Sequence, residues 1–243
     1  YDIDGVMSTY VLLRGLIRIG ADVDTYIPDR VADGYGIHEH LINRAEEDKV
    51  DTILTCDNGI AAVSEIHLAK EKGIQGENRI LVKEGLKRLK NTRNPGLREL
   101  IRVNGLEDSK ITAYHVGFVL GPCINASGRL DTAARSLALL NAENQDEAAK
   151  LAGDLTALNQ SRKSLTEEGK EAAIHQVENT DLKDDRVLVI YLPDCHESIA
   201  GIIAGRIREK YHKPTFVLTK GENSAKGSGR SIEAYSMYEE LVR

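Results

Sequence analysis

Residues 143–178 carry the feature that most limits what this chain can become, a long helical pattern with a narrow apolar stripe. Ala148, Leu151, Ala152, Leu155 and Leu158 recur at three- and four-residue spacing, and Leu165 and Ala172 extend the row at sevenfold spacing. A helix of that length with so thin a stripe is a connector more readily than a core element, so it predicts a lobe on each side. With 243 residues the chain is long enough for one large domain or two smaller ones. The pattern predicts residues 1–142 as a first domain, 143–180 as the connecting helix and 181–243 as a second domain. The second domain stops at Arg243 just after a helix start and is expected to be incomplete.

The first domain alternates. "VMSTYVLLRGLIRI" (6–19) reads as a helix stopping at Gly20, and "DVDTYIP" as a short strand closed by Pro28. "IHEHLINRAEEDKV" then reads as a helix, "DTILTC" as a strand and "IAAVSEIHLAKEKG" as a helix capped by Gly73. Strand and helix in turn predict a parallel α/β sheet, whose ligand crevice lies at the carboxyl ends of the strands. Asp2, Asp4 and Asp57 fall at such ends, ahead of Gly5 or Gly59 and a helix. On extended backbone Asp2 and Asp4 share a face, where two carboxylates repel unless a cation offsets them. One Asp-x-Asp pair commonly does no more than end a strand and cap a helix. Three acids on one sheet edge predict a site for Mg²⁺ or Mn²⁺, hard cations that take carboxylate oxygens.

The alternation breaks after "AKEKGI", where a strand is due and "QGENRILVKEGLKRL" brings a loop and a helix instead. The break predicts that a segment is missing at about Ile74–Gly76. From 80 to 142 the pattern is mostly helical, interrupted by a loop at "GPCINASGRLDTA" that sets Asn125 and Arg129 ahead of a helix, a phosphate-friendly arrangement. Beyond the connector, "RVLVIYLP" and "PTFVLT" read as strands around the helix "SIAGIIAGRIREKY". His196 and Glu197 precede that helix, whose Gly201, Ala204 and Gly205 allow close approach of another backbone. "SAKGSGRSI" brings Lys226, Ser228 and Arg230 into a Gly- and Ser-rich stretch suited to an anion, or to a plain hairpin; it lacks the ending of a Walker loop.

Charge is divided in the same way. The net charge of −6 speaks against a nucleic-acid binder, but residues 1–74 hold 7 Lys/Arg against 14 Asp/Glu, while 205–230 hold 7 against 2. An acidic end suits a metal and a basic end an anion. Cys56, Cys123 and Cys195 form no CxxC pair, which argues against a disulfide framework or zinc ribbon. The apolar runs are too short for a bilayer, and the expected compartment is the cytoplasm.

Taken in order, "YDIDGVMST", "YIPDR…GYGI", "TCDNGIAAV", "GENRILVKEGL", "GPCINASGRLDTA", "CHESIAGIIAGRI" and "GSGRSI" resemble the bacterial single-strand-specific exonucleases of the DHH phosphoesterase superfamily. The resemblance covers nearly the whole chain. It implies a parallel-sheet DHH domain joined by a long helix to a smaller α/β DHH-associated domain, with the DNA strand held between them. It implies a two-metal Mn²⁺ or Mg²⁺ site with Asp2, Asp4 and Asp57 as catalytic ligands. Arg129, Ser228 and Arg230 would hold phosphates near the 5′ end, Asn125 and His196 would line the same cleft, and Arg30 follows from the "IPDR" match.

The implied reaction is two-metal hydrolysis of single-stranded DNA from its 5′ end, releasing 5′-mononucleotides in recombination and repair. The implied protein is a monomer away from membranes, with a single-strand-binding protein or a helicase as candidate partners. Departures are informative: the superfamily's Asp-His-His and a later Asp are absent and would fall at the break near 74–76. An Asp before Tyr1 and a Gly-Gly-His-Pro beyond Arg243 are expected, and Cys123 stands where Arg is common. Two other readings stay open, a DHH phosphodiesterase of short oligonucleotides or nucleotide phosphates and a single-strand-binding DHH protein with a decayed site.

Overall fold

The computed structural model describes residues 2–30, 43–45, 47–50, 52, 54, 56–57, 76–221 and 224–242. The chain divides into two compact units, Tyr1–Asn159 and Gln160–Arg243.

The described part of the first unit is helical. Helix α1 (Ile3–Arg18) starts one residue after Asp2, whose side chain accepts from the Gly5 N–H, and it ends before Gly20 at φ +85°. Next come α2 (Gly76–Leu89) and α3 (Pro95–Val103). Asn94 caps α3 by accepting from the Leu97 N–H, and Pro95 occupies a first-turn position where no donor is needed. A short α4 (Ala113–His115) runs through a π-helical turn (Val116–Leu120) into α5 (Gly121–Leu130), followed by α6 (Ala134–Asn141). Helices α3 and α6 pack at Gly96, where a Cβ would stand 1.9 Å from the Leu139 carbonyl oxygen. The core gathers Val6, Leu100, Leu139, Leu140 and Leu155. Glu99 is buried within it, its carboxylate taking the Arg102 Nε at 2.6 Å and the Gln145 Nε2 at 3.2 Å.

Two expectations fail here. The "DVDTYIP" stretch forms no strand: residues 21–29 are irregular, and Thr25 N–H bonds to the Asp24 carboxylate at 2.7 Å, a local bond in place of a ladder bond. The expected loop at "GPCINASGRLDTA" is helix α5 over most of its length. Its small residues fold inward, with Ala126, Ser127 and Gly128 buried and the Ser127 hydroxyl donating to the Ile124 carbonyl at 3.0 Å. Burial overrides their poor helix propensity. Of "DTILTC" the described Thr52, Leu54 and Cys56 lie in no strand; the helix expected from Ile60 lies outside the described residues.

Helix α7 (Gln145–Glu178) spans the connecting stretch, and the two units part within it. Its stripe is not continuous. Ala148, Ala152 and Leu155 are buried, Leu165 and Ala172 are exposed, and the buried positions resume at Ala173 and Val177. A straight helix drifts about 20° per heptad, so a sevenfold row leaves one face and the next core takes up neighbouring positions.

The second unit is a small mixed α/β layer. Strand β1 (Leu188–Tyr191) pairs parallel with β2 (Thr215–Lys220), and β2 pairs antiparallel with β3 (Ala225–Arg230). Helix α8 (Glu197–Tyr211) connects β1 to β2 and buries Ile199, Ile203 and Ile207 against Leu188, Ile190 and Val217. It ends at His212 in the left-handed region, just before Lys213 and Pro214. A final helix, α9 (Met237–Val242), follows. No helix among the described residues is long and apolar enough to cross a membrane.

Candidate functional site

In the first unit the acidic residues meet at the start of α1. Asp2 is extended (φ −99°, ψ −177°) and Asp57 has a positive φ of +50°, a conformation Asp tolerates better than most residues. A Cβ on Gly5 would stand 3.4 Å from Asp57 Oδ2 and 3.7 Å from Asp2 Oδ1, so the glycine lets both carboxyls lie over the first turn. Residue 56 is tied to the same helix by the Cys56 Sγ, 3.6 Å from Thr9 Oγ1.

The electrostatics are those of crowded like charges. Partial burial raises the Asp57 carboxyl above its ordinary pKa, and the nearby carboxylates of Asp2 and Asp4 and a side-chain hydrogen bond with Asp2 raise it further. Two carboxyls share a hydrogen bond only when one is protonated, so the pair calls for a proton or a cation between them. The α1 N-terminus contributes partial positive charge but not a full one.

Asp2 and Asp4 do not share an extended face as expected. Helix α1 already begins at Ile3, which turns residues two apart to different sides and leaves Asp4 exposed on the first turn. Among the described residues no three His, Cys, Asp or Glu side chains stand close enough to close around a metal. What exists is an open Asp2–Asp57 pair with Asp4 at its edge. The donor set is all hard oxygen and carries excess negative charge, which fits a divalent cation.

Helix α5 lies beside this pair. The Ile3 N–H, one of the unpaired donors at the start of α1, bonds to Asn125 Oδ1 at 2.6 Å. Three residues on, the Gly128 carbonyl accepts from Arg30 Nε at 3.0 Å, and Arg129 lies half-buried in the last turn. Asn125, Arg30 and Arg129 are thus gathered along one helix, though Asn125 and Arg30 each serve a structural bond there. Cys123 points into the core, fully buried, with its Sγ 3.3 Å from the Val119 carbonyl and 3.5 Å from Asn159 Nδ2.

The second unit assembles its own residues on β3. Register pairs Gly227 with Leu218 and Gly229 with Phe216, while Lys226, Ser228 and Arg230 pair with Thr219, Val217 and Thr215 on the other face. Both glycines are needed for close cover: a Cβ on Gly227 would stand 2.4 Å from Leu218 Cδ2, and one on Gly229 2.8 Å from Phe216 Cε1. The opposite face meets α8 at Gly201, where a Cβ would fall 2.8 Å from Arg230 Nη2 and 3.3 Å from Ser228 Oγ. The small-residue face therefore seats a guanidinium and a hydroxyl. His196 caps α8, its Nδ1 accepting from the Ser198 N–H at 3.3 Å, and its ring is exposed.

Two features escape sequence reading. The π-helical turn ahead of α5 had a signal in the Gly121-Pro122 pair, since Pro122 cannot donate back along the helix. The ion pair between Lys226 Nζ and Glu197 Oε2, 3.1 Å apart, had none, because nothing in the pattern aligns β3 with the first turn of α8.

The profile described as "DHH family, N-terminal domain" matches residues 1–76. The chain is 30% identical to the single-stranded-DNA-specific exonuclease RecJ of Bacillus subtilis (strain 168), over 99% of this chain and 40% of that protein. With the same-named protein of Escherichia coli (strain K12) identity is 27%, over 100% of this chain and 58% of the relative. In fold it matches the crystal structure of exonuclease RecJ bound to manganese with a TM-score of 0.78 and 27% identity, covering all of this chain and 78% of that one.

The chain is similar to RecJ exonucleases along its length, and the DHH match lies in residues 1–76.

A second likeness is to RecJ of Thermus thermophilus in complex with Mg²⁺, at TM-score 0.71 and 29% identity over 42% of that chain. The chain spans about half the length of the curated relatives it matches. Those alignments run over 314 and 335 positions, more than the 243 residues of this chain, so the relatives carry stretches that it lacks.

Proposed function

We propose that this protein is a metal-dependent, single-strand-specific DNA exonuclease that works from the 5′ end and releases 5′-mononucleotides in recombination and repair. The observation that carries the reading is the Asp2–Asp57 carboxyl pair closed over Gly5, two like charges held where only a cation or proton offsets them. Asp2 and Asp57 would hold Mn²⁺ or Mg²⁺, with Asp4 completing the acidic edge. The remaining ligands would come from an Asp-His-His segment missing at about 74–76. When bound, the metal pair supplies Lewis-acid stabilisation of the charge that builds on phosphate oxygens during hydrolysis.

The chain's own residues do the rest. Ser228 and Arg230 offer a hydroxyl and a guanidinium seated against Gly201, a donor pair that suits a backbone phosphate. Arg129 would add a second cation, with Asn125, Arg30 and His196 holding the local backbone in place. The two-domain arrangement belongs to the same proposal: residues 1–142 as the DHH domain, 143–180 as the connecting helix and 181–243 as the DHH-associated domain. So do a monomeric state, a cytoplasmic location and a single-strand-binding protein or helicase as partner. The likeness to single-stranded-DNA-specific exonucleases and to their Mn²⁺ and Mg²⁺ complexes supports it.

One experiment tests the reading. Long single strands labelled at the 5′ end are incubated with the protein and Mn²⁺, and the coding sequence is read across Ile74–Gly76. Labelled mononucleotide as first product, with an Asp-His-His segment encoded there, supports it. Cleavage confined to dinucleotides favours the short-substrate phosphodiesterase. Tight strand binding without cleavage, and an uninterrupted code across the junction, favours a binding protein with a decayed site.

A further inference from the structure

Strand β3 points three polar side chains at α8, Lys226, Ser228 and Arg230, at alternate positions and so about 7 Å apart along the strand. Their circumstances differ. Among the described residues the Ser228 hydroxyl makes no hydrogen bond, and the Arg230 guanidinium meets no carboxylate, turning only to the Gly229 carbonyl at 2.8 Å. Lys226 alone is neutralised, by Glu197 at 3.1 Å in the first turn of α8. A carboxylate there also complements the helix dipole, but that role needs no lysine. The lysine side chain is 53% exposed and the glutamate 25%, so the pair is open to water and weak enough to exchange.

We propose that Lys226 is a further contact to the nucleic-acid backbone, in the same row as Ser228 and Arg230, and that Glu197 sets its cost. To hold a phosphate, Lys226 leaves the carboxylate. Glu197 thereby keeps the row from gripping the strand with its full charge, which suits a protein that must let the strand advance after each step. This rests on the reading of that face as a backbone-binding surface.

The test measures binding of 5′-phosphorylated single-stranded oligothymidylate to the whole protein in EDTA, across a salt series. Glu197→Gln keeps the shape and removes the charge. It is expected to tighten binding about two- to fivefold at low salt and to steepen the slope of log K against log salt by about 0.7, one phosphate contact on a single strand. Lys226→Met is expected to weaken binding and make the slope shallower by about the same 0.7. The double variant should bind as Lys226→Met does. An unchanged slope in Glu197→Gln, or a double variant that keeps the gain, overturns the proposal. Arg230→Ala separates the two levels: if it weakens binding while the other variants match wild type, only the role of Lys226 and Glu197 falls. If it too leaves binding unchanged, the reading of that face falls with it.

Discussion

The acidic pair of the first unit and the polar row of the second are built on opposite principles. Asp2 and Asp57 stand 55 positions apart in the chain and are brought together against their own repulsion, with Gly5 making room. Lys226, Ser228 and Arg230 lie within five residues and need only the alternation of one strand, with Gly201 making room from the facing helix. In both places a glycine on a helix seats a charged group. The first site lacks positive charge and the second has a hydroxyl and a guanidinium to spare. An acidic pair of this kind is a cost to the fold unless a proton or a cation offsets it, whereas the row costs little.

The sharpest break in the comparison comes from Asp57→Ala. Cleavage dependent on Mn²⁺ should fall by at least about a hundredfold, the order expected when metal-borne charge stabilisation is lost. Single-strand binding should change little, and unchanged turnover would remove Asp57 from the site. Gly201→Ala probes the other site, since the new Cβ would fall 2.8 Å from Arg230 Nη2. The guanidinium is the free end of a flexible side chain, so the fold should hold while affinity for 5′-phosphorylated single strands drops about threefold to tenfold, one charged hydrogen bond being disturbed. Equal affinity in an anisotropy titration would sever Arg230 from the phosphate.

Asn125→Ala sharpens the link between helix start and acidic pair. It removes the acceptor of the Ile3 N–H at 2.6 Å and should cost about 1 kcal/mol in a denaturant melt. Smallest is Tyr211→Phe, a control that touches neither site. The Tyr211 phenol donates to Glu178 at 2.6 Å, and burial first, then that carboxylate, pushes its pKa up to about 12 from an ordinary 10. The folded state thus holds the proton more tightly, so stability falls as pH rises from 10 through about 12. The Phe variant should lose that alkaline slope and little else, which a series of thermal melts across the window reads directly.

How far the sequence carried depends on where each element's partners lie. The βαβ unit of residues 188–220 is read correctly because strand, helix and strand are adjacent and each has a strong apolar period. Helix α7 is legible for its length, but the sevenfold row is not a face, and Leu165 and Ala172 end exposed while Ala173 and Val177 are buried. The strand at "DVDTYIP" fails because Asp24 offers Thr25 a bond at hand. Helix α5 is hidden by Gly, Asn and Ser, whose fit is decided by neighbours such as Ser136, 2.8 Å from the Ser127 hydroxyl. Of the site, Asp57 beside Asp2 was legible as chemistry. The sideways turn of Asp4 and the Lys226–Glu197 pair were not, since one depends on where a helix starts and the other on which helix a strand faces.

The wide turn ahead of α5 acts as a phase offset in a screw. The Gly121 N–H reaches back five residues to the Val116 carbonyl, and a Cβ on Gly121 would stand 2.8 Å from that oxygen. Adding one residue to 116–120 in ordinary helical winding would rotate the whole of α5 by about 100°. Asn125 would then swing off Ile3, and the Gly128 carbonyl off Arg30, although neither residue had been altered. The stretch from His115 to Pro122 is therefore constrained by count as much as by composition: its residues can be exchanged more safely than their number.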